Sequence, residues 1–155
     1  MKGKKMKLKY VEIVPFEIGH ALSLDVREHE KPMQGEAAFA EWAKANSAYG
    51  PAFSGKLDGK IIGCGGVRIL WSGVGEAWAI FSKDITGHSK EAYYYVRKFL
   101  HQIIRDWRLH RVQAHVRTDV PVAVRYLENL GFEKEGLMSR FDINKKDHFL
   151  YALVR

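Results

Sequence analysis

Val120-Pro-Val-Ala-Val-Arg-Tyr-Leu-Glu-Asn-Leu-Gly-Phe132 is the stretch that decides how this chain folds. Val122, Arg125 with Tyr126, and Asn129 with Leu130 recur at steps of three and four, the spacing of one helical face. Gly131 supplies the left-handed backbone that ends a helix at low steric cost, and Phe132 opens the next element. The segment reads as an amphipathic helix that stops at a glycine and hands over to a strand.

Working outward, Arg111-Val-Gln-Ala-His-Val-Arg117 alternates as a strand on one side, and Phe132 to Phe141 and His148 to Val154 read as two strands on the other. Lys90 to Trp107 predicts a long helix, with Tyr95, Phe99, Ile103 and Trp107 spaced by four along one stripe. Ser82 to Ser89 is a polar loop, Glu76 to Phe81 a strand, and Trp71 to Gly75 a turn. Asp58-Gly59 between two apolar runs is a strong hairpin sign. Gly63, Gly65 and Gly66 weaken a strand interior and mark a bulge or a close backbone approach. Helices are predicted over Phe16 to Glu28 and over Gly35 to Ala48, the latter with Ala38, Phe39, Trp42 and Ala45 on one face. Met6 to Val14 alternates as a first strand, ended by Pro15.

Composition bounds the function. The 155 residues, 46% hydrophobic, are enough for one core and exclude a disordered chain. No apolar run reaches the roughly 18 residues of a membrane span, and Glu12, Pro15 and Glu17 interrupt the stretch after the basic N-terminus, so no signal peptide is read. A single Cys64 cannot form an internal disulfide and agrees with a reducing cytoplasm. The net charge of +7 fits either an anionic partner or solubilising surface charge, the bland reading of Lys2, Lys4, Lys5, Lys7 and Lys9. A nucleic-acid role is disfavoured, because no zinc pattern, basic-region helix or basic and aromatic interleaving is present. The seven histidines are scattered without ligand spacing, so no metal site is predicted; no Gly-x-Ser-x-Gly anchors a serine nucleophile, and Gly63-x-Gly-Gly66 precedes a strand, which disfavours a dinucleotide fold.

The helix, the Leu-Gly-Phe stop and Glu133-Lys-Glu-Gly136 resemble the last conserved block of the GCN5-related N-acetyltransferases (GNAT), with matches at Ala123, Glu128, Leu130, Gly131 and Phe132. The element order of strand, two helices, three strands, long helix, strand, helix and two strands is also similar to that family over essentially the whole chain. The resemblance implies one α+β domain over residues 1–155: a mixed, mostly antiparallel central sheet of six to seven strands flanked by about four helices. It further implies acetyl-CoA as acyl donor, an amine on a small molecule or peptide as acceptor, direct attack in a ternary complex, and a cytoplasmic monomer or homodimer.

In the family the loop before the long helix wraps the cofactor's pyrophosphate. Here that loop is Ser82-Lys-Asp-Ile-Thr-Gly-His-Ser-Lys90, with Gly87 alone where two small residues are expected. Thr86, Gly87, His88, Ser89 and Lys90 offer amides, hydroxyls and charge to a diphosphate; the same residues also read as an ordinary helix start capped by Ser89. The resemblance places Phe81 and Ser82 on the pantetheine, with a strand amide near them for the oxyanion. Glu76 is the candidate base acting through water, or a solvated strand-edge carboxylate; His115 is the second candidate, or a histidine packed beside the sheet. Leu127 stands where the family often has the acid Tyr, and Val120 where it has Asn; Tyr126, one residue before Leu127, reads as a packing residue. The departure of the Ser82–Lys90 loop, with Trp78 and the Tyr-rich helix, resembles small phage and prophage acetyltransferase-like proteins, which opens a second reading: a degenerate binding or interaction protein that keeps the fold without transfer.

Overall fold

Asp58 and Gly59 adopt positive φ of 51° and 78°, the two left-handed residues of a type I′ turn, and join β2 (Ala52–Leu57) to β3 (Lys60–Trp71) as predicted. Around this hairpin the computed structural model, which describes residues 11–155, builds one seven-stranded sheet. With β1 (Glu12–Pro15), β4 (Val74–Phe81), β5 (Arg111–Arg117), β6 (Glu133–Met138) and β7 (His148–Val154), its order is β1-β2-β3-β4-β5-β7-β6. Every join is antiparallel except β4 to β5, which is parallel. The predicted mixed, mostly antiparallel architecture stands. Residues 6–10 of the predicted first strand, and the N-terminal lysines, lie outside the described residues.

Two helices cover each face. α1 (Ile18–Leu22) and α2 (Glu36–Ala48) pack Ala21 and Ala43 on Cys64 and Ile80. α3 (Ser89–Asp106) and α4 (Pro121–Asn129) cover the opposite face, where Leu100, Ile103, Ile104 and Leu130 meet Val67, Val112, Ala114 and Tyr151. Strand alternation therefore sorts the side chains: Ala77, Val112 and Ala114 belong to the α3/α4 side, while Glu76, Trp78, His115 and His148 belong to the other.

The deciding segment behaves as read. α4 ends in a Schellman motif: Phe132 N–H donates to Leu127 O at 3.1 Å and Gly131 N–H to Glu128 O at 3.0 Å, with Gly131 at φ 98° and Phe132 buried. Its inner face, however, is Ala123, Val124, Tyr126, Leu127 and Leu130, while Val122 is exposed. Both expectations for the glycines of β3 are met. The ladder slips between Gly55 and Lys56 beside Ile62 and Gly63, and a Cβ on Gly66 would sit 2.3 Å from Pro51 O.

Three expectations need correction. The helix over Phe16 to Glu28 shrinks to α1, because Val26 bridges to Ser82 and Lys83 N–H donates to Asp25 O, so cross-chain pairing draws the backbone out of helix. A 3-10 turn (Glu28–Glu30) follows. On α2 the inward stripe is Phe39, Trp42, Ala43 and Asn46, with Ala38 left exposed. On α3, Trp107 is exposed: each step of four overshoots a turn by about 40°, so a strict four-residue stripe drifts off the buried face by about 120° in three steps, and Leu100 and Ile104 replace it.

Candidate functional site at the parting of two strands

β4 holds its two neighbours very differently. Against β3 it is paired from Gly63↔Phe81 to Trp71↔Val74; against β5 it is paired only at Val74↔Arg111, Gly75↔Val112 and Glu76↔Gln113, and beyond Glu76 the two strands part. Main-chain groups in an antiparallel ladder alternate sides. The alternation that turns Phe81 N–H away from β3 turns that of Ala79 the same way, into the gap.

A cavity of about 460 Å³ occupies this gap and is lined from both sides of the sheet. Tyr126, Leu127 and Ala123 of α4 wall the α3/α4 side; Trp42, Trp78 and His115 wall the other. Four buried side-chain groups on its wall have no partner among the described residues: Tyr126 Oη, Trp78 Nε1, Asn46 Nδ2 and Gln34 Nε2. Buried polar atoms are ordinarily paired, so four orphans around one cavity mark it as a place for a polar ligand. Burial pushes the Tyr126 phenol well above its ordinary pKa, with Tyr93 and Glu30 adding to the rise, so it stands as a protonated donor. The reading of Tyr126 as a packing residue holds, its ring meeting those of Phe81 and Tyr93; the unpaired hydroxyl left no mark in the sequence.

Phe81 N–H, the strand amide expected to hold an oxyanion, donates to Glu30 Oε2 at 2.6 Å. Glu30 is pinned by an ion pair with Arg27. Ser82, by contrast, has no free amide. Its N–H donates to Ile62 O at 2.9 Å and its hydroxyl accepts from Asp84 N–H at 3.1 Å, so it anchors the loop. Thr86, Gly87, His88, Ser89 and Lys90 lie outside the cavity wall, between Ile85 and Ala92, which do line it. Thr86 and His88 spend their amides on Lys83 O and Ile85 O. Ser89, Lys90 and Glu91 open α3 with amides that a helix cannot pair, Gly87 bends at φ 87° with open space where a Cβ would stand, and the N-cap residue is His88, without side-chain capping by Ser89.

Glu76 and His115 are brought together at the base of the gap. Glu76 Oε2 accepts from Gln113 Nε2 at 3.1 Å, and Glu76 Oε1 lies 3.9 Å from His115 Nε2. Burial lowers the His115 pKa from its ordinary value of 6.5; Glu76 pulls it up and His148 pushes it down. Cys64, also on the cavity wall, is no nucleophile: burial pushes its thiol up to about 11 against the opposing hydrogen bond from Ser54.

Among the described residues no helix is long and apolar enough to cross a membrane. No family model matches the chain, and no curated protein matches it in sequence. Solved structures do match. The ribosomal-protein-S5-alanine acetyltransferase of Vibrio fischeri superposes with a TM-score of 0.74 at 18% identity, covering 96% of this chain and 95% of that one. A GNAT-family acetyltransferase of Bacillus anthracis gives 0.67 at 17% identity, covering 96% of each chain. A spermidine N-acetyltransferase variant of Vibrio cholerae gives 0.68 at 19% identity, covering 92% and 94%. The architecture is thus that of the GNAT fold.

Proposed function

Starting from that fold, we propose that the protein is an acetyl-CoA-dependent N-acetyltransferase that acetylates an amine by direct attack in a ternary complex. The observation that carries this reading is the parting of β4 from β5 after Glu76, which opens a two-sided cavity flanked by free amides. Acetyl-CoA, when bound, supplies an acyl group activated as a thioester. The amides of Ser89 and Lys90, the Lys90 ammonium and the open bend at Gly87 suit its diphosphate, and the seam-facing amide of Ala79 suits the pantetheine.

Phe81 N–H is the donor for a carbonyl oxygen that gains negative charge during transfer. A carboxylate oxygen already rests on it, so this amide suits an anionic oxygen, and Glu30 must yield when the acyl group arrives. On the opposite side of the sheet, Glu76 and His115 face the acceptor amine, and His115, with its lowered pKa, is unprotonated near neutral pH and accepts the amine's proton. Tyr126, buried and protonated, donates a hydrogen bond to the departing sulfur.

The same Glu30 contact favours a second reading, the interaction protein without transfer, since an occupied amide needs no ligand. Calorimetric titration with acetyl-CoA separates the two. Micromolar binding that weakens ten-fold or more in Lys90→Glu is expected, as one charge-assisted phosphate contact is worth about 1.5–3 kcal/mol. No binding at millimolar ligand moves the assignment to the interaction protein.

A further inference from the structure

His115 does not stand alone. His115 Nδ1 lies 3.2 Å from His148 Nδ1, and His148 Nε2 lies 3.1 Å from Asp142 Oδ2. The His148 and Asp142 side chains, which line the cavity behind His115, are 5% and 4% exposed, so two polar groups are kept buried there. The other Asp142 oxygen, Oδ1, accepts Asn144 N–H at 3.0 Å and Lys146 N–H at 2.8 Å. Phe141 covers the pair, with ring centroids 4.8 Å from His115 and 5.0 Å from His148.

With both rings neutral, the chain of contacts has one consistent proton arrangement. Burial pushes the Asp142 carboxyl up, but hydrogen bonds from Lys146 N–H, His148 and Asn144 N–H outweigh it, and its pKa is lowered; the carboxylate can then only accept. Hence His148 carries its proton on Nε2. Its Nδ1 is left as an acceptor, so the proton between the two rings belongs to His115 Nδ1. The remaining nitrogen, His115 Nε2, is a bare lone pair, and it is the atom that points toward Glu76.

Resting on the acetyltransferase reading, we propose that Asp142 and His148 are positioning residues that lock His115 into the tautomer whose Nε2 lone pair receives the acceptor amine's proton. As the N–C bond forms and the thioester C–S bond breaks, its electron pair leaving on sulfur, that proton goes to His115 Nε2 and then to water; the thiolate takes one from water. The resulting imidazolium is steadied through His148 by the Asp142 charge. Nε2 and Glu76 Oε1, 3.9 Å apart, are too far for a direct hydrogen bond and suit a nitrogen with two N–H groups seated between them, which selects a primary amine. The other charged group beside the relay is Arg117 of β5, paired with Asp119 at 2.8 Å and under the influence of the Asp142 charge.

The test is nitrogen-15 NMR of the imidazoles in the whole protein without ligand, beside Asp142→Asn. The expected wild-type result is His115 protonated at Nδ1 and His148 at Nε2. In Asp142→Asn the backbone donors keep the amide oxygen, its NH₂ faces His148 Nε2, and both rings reverse, so His115 Nε2 becomes protonated. The accompanying kcat loss should be 100-fold or more with little change in KM. Wild-type His115 protonated at Nε2, or a variant whose tautomers do not reverse, overturns the relay; the wild-type spectrum decides even if the variant fails to fold. The expected tautomers in a protein that acetylates no amine would overturn the catalytic role by way of the acetyltransferase reading, with the geometry intact.

Discussion

The two margins of β4 are built from one strand and end in opposite states. Toward β3 the ladder runs the strand's length, and glycines bring backbones closer than a Cβ permits; toward β5 it stops after Glu76. The closed margin spends its residues on close packing, with Gly63 against the Phe81 ring, Gly65 against Trp78 O and Gly75 against Val67. The open margin leaves main-chain donors without strand partners, and around it gather the orphan Tyr126 hydroxyl, the Glu30 contact and the Glu76–His115 pair. Stability and chemistry are thereby divided along a single strand.

The largest effect is expected on β3, the strand that closes this margin, where its other edge meets the start of β2. Gly66→Val sets side-chain atoms against Pro51 O and Ala52 and should cost about 3 kcal/mol or more, a melting temperature lower by about 6–12 °C in thermal denaturation. On the open side, Glu76→Gln should leave the melting temperature nearly unchanged, and both Glu76→Gln and His115→Ala should lower kcat by about 100-fold in a thiol-release assay with a competent amine. Unchanged rates in both would remove this pair from the chemistry. Glu30→Gln trades a charged acceptor on Phe81 N–H for a neutral one; with about 1 kcal/mol less competition, acetyl-CoA affinity should rise about five-fold by calorimetry.

A smaller effect follows pH. An unfolded histidine titrates near 6.5, and His115 is lowered in the fold by burial, so between the two values the unfolded chain binds more protons. The contribution of His115 to stability is therefore present above 6.5 and lost as pH falls through its folded pKa. The acid limb of kcat/KM should likewise lie below 6.5, and a limb at or above 6.5 would contradict the burial argument. Smallest of all, Tyr126→Phe removes a hydroxyl that satisfies no protein partner, so the melting temperature should hold or rise slightly while turnover falls.

The sequence carried the closed margin better than the open one, for physical reasons. Asp58-Gly59, Gly131 and the β3 glycines declare themselves because each needs a backbone state or a clearance that few other residues permit. The order of elements was legible too, since period two and period 3.6 differ sharply. Glu76 and His115 could be named singly, but their meeting at 3.9 Å depends on where β5 leaves β4, which no local pattern encodes. Asp142 was invisible: it sits in a polar loop between β6 and β7, and only the fold buries it beneath Phe141 and beside His148. Glu30 leaves no mark either, because its carboxylate reaches Phe81 N–H only through the 3-10 turn that replaces the end of the expected helix.

β6 forms the outermost strand beyond β7, with Glu133, Lys134 and Glu135 exposed and a register slip between Lys134 and Gly136. Alternating charge and a local kink are how natural sheets refuse extra strands. This border is therefore a poor template for fibril growth even in a crowded solution, and any second copy that docks there must do so by side-chain fit rather than by lengthening the sheet.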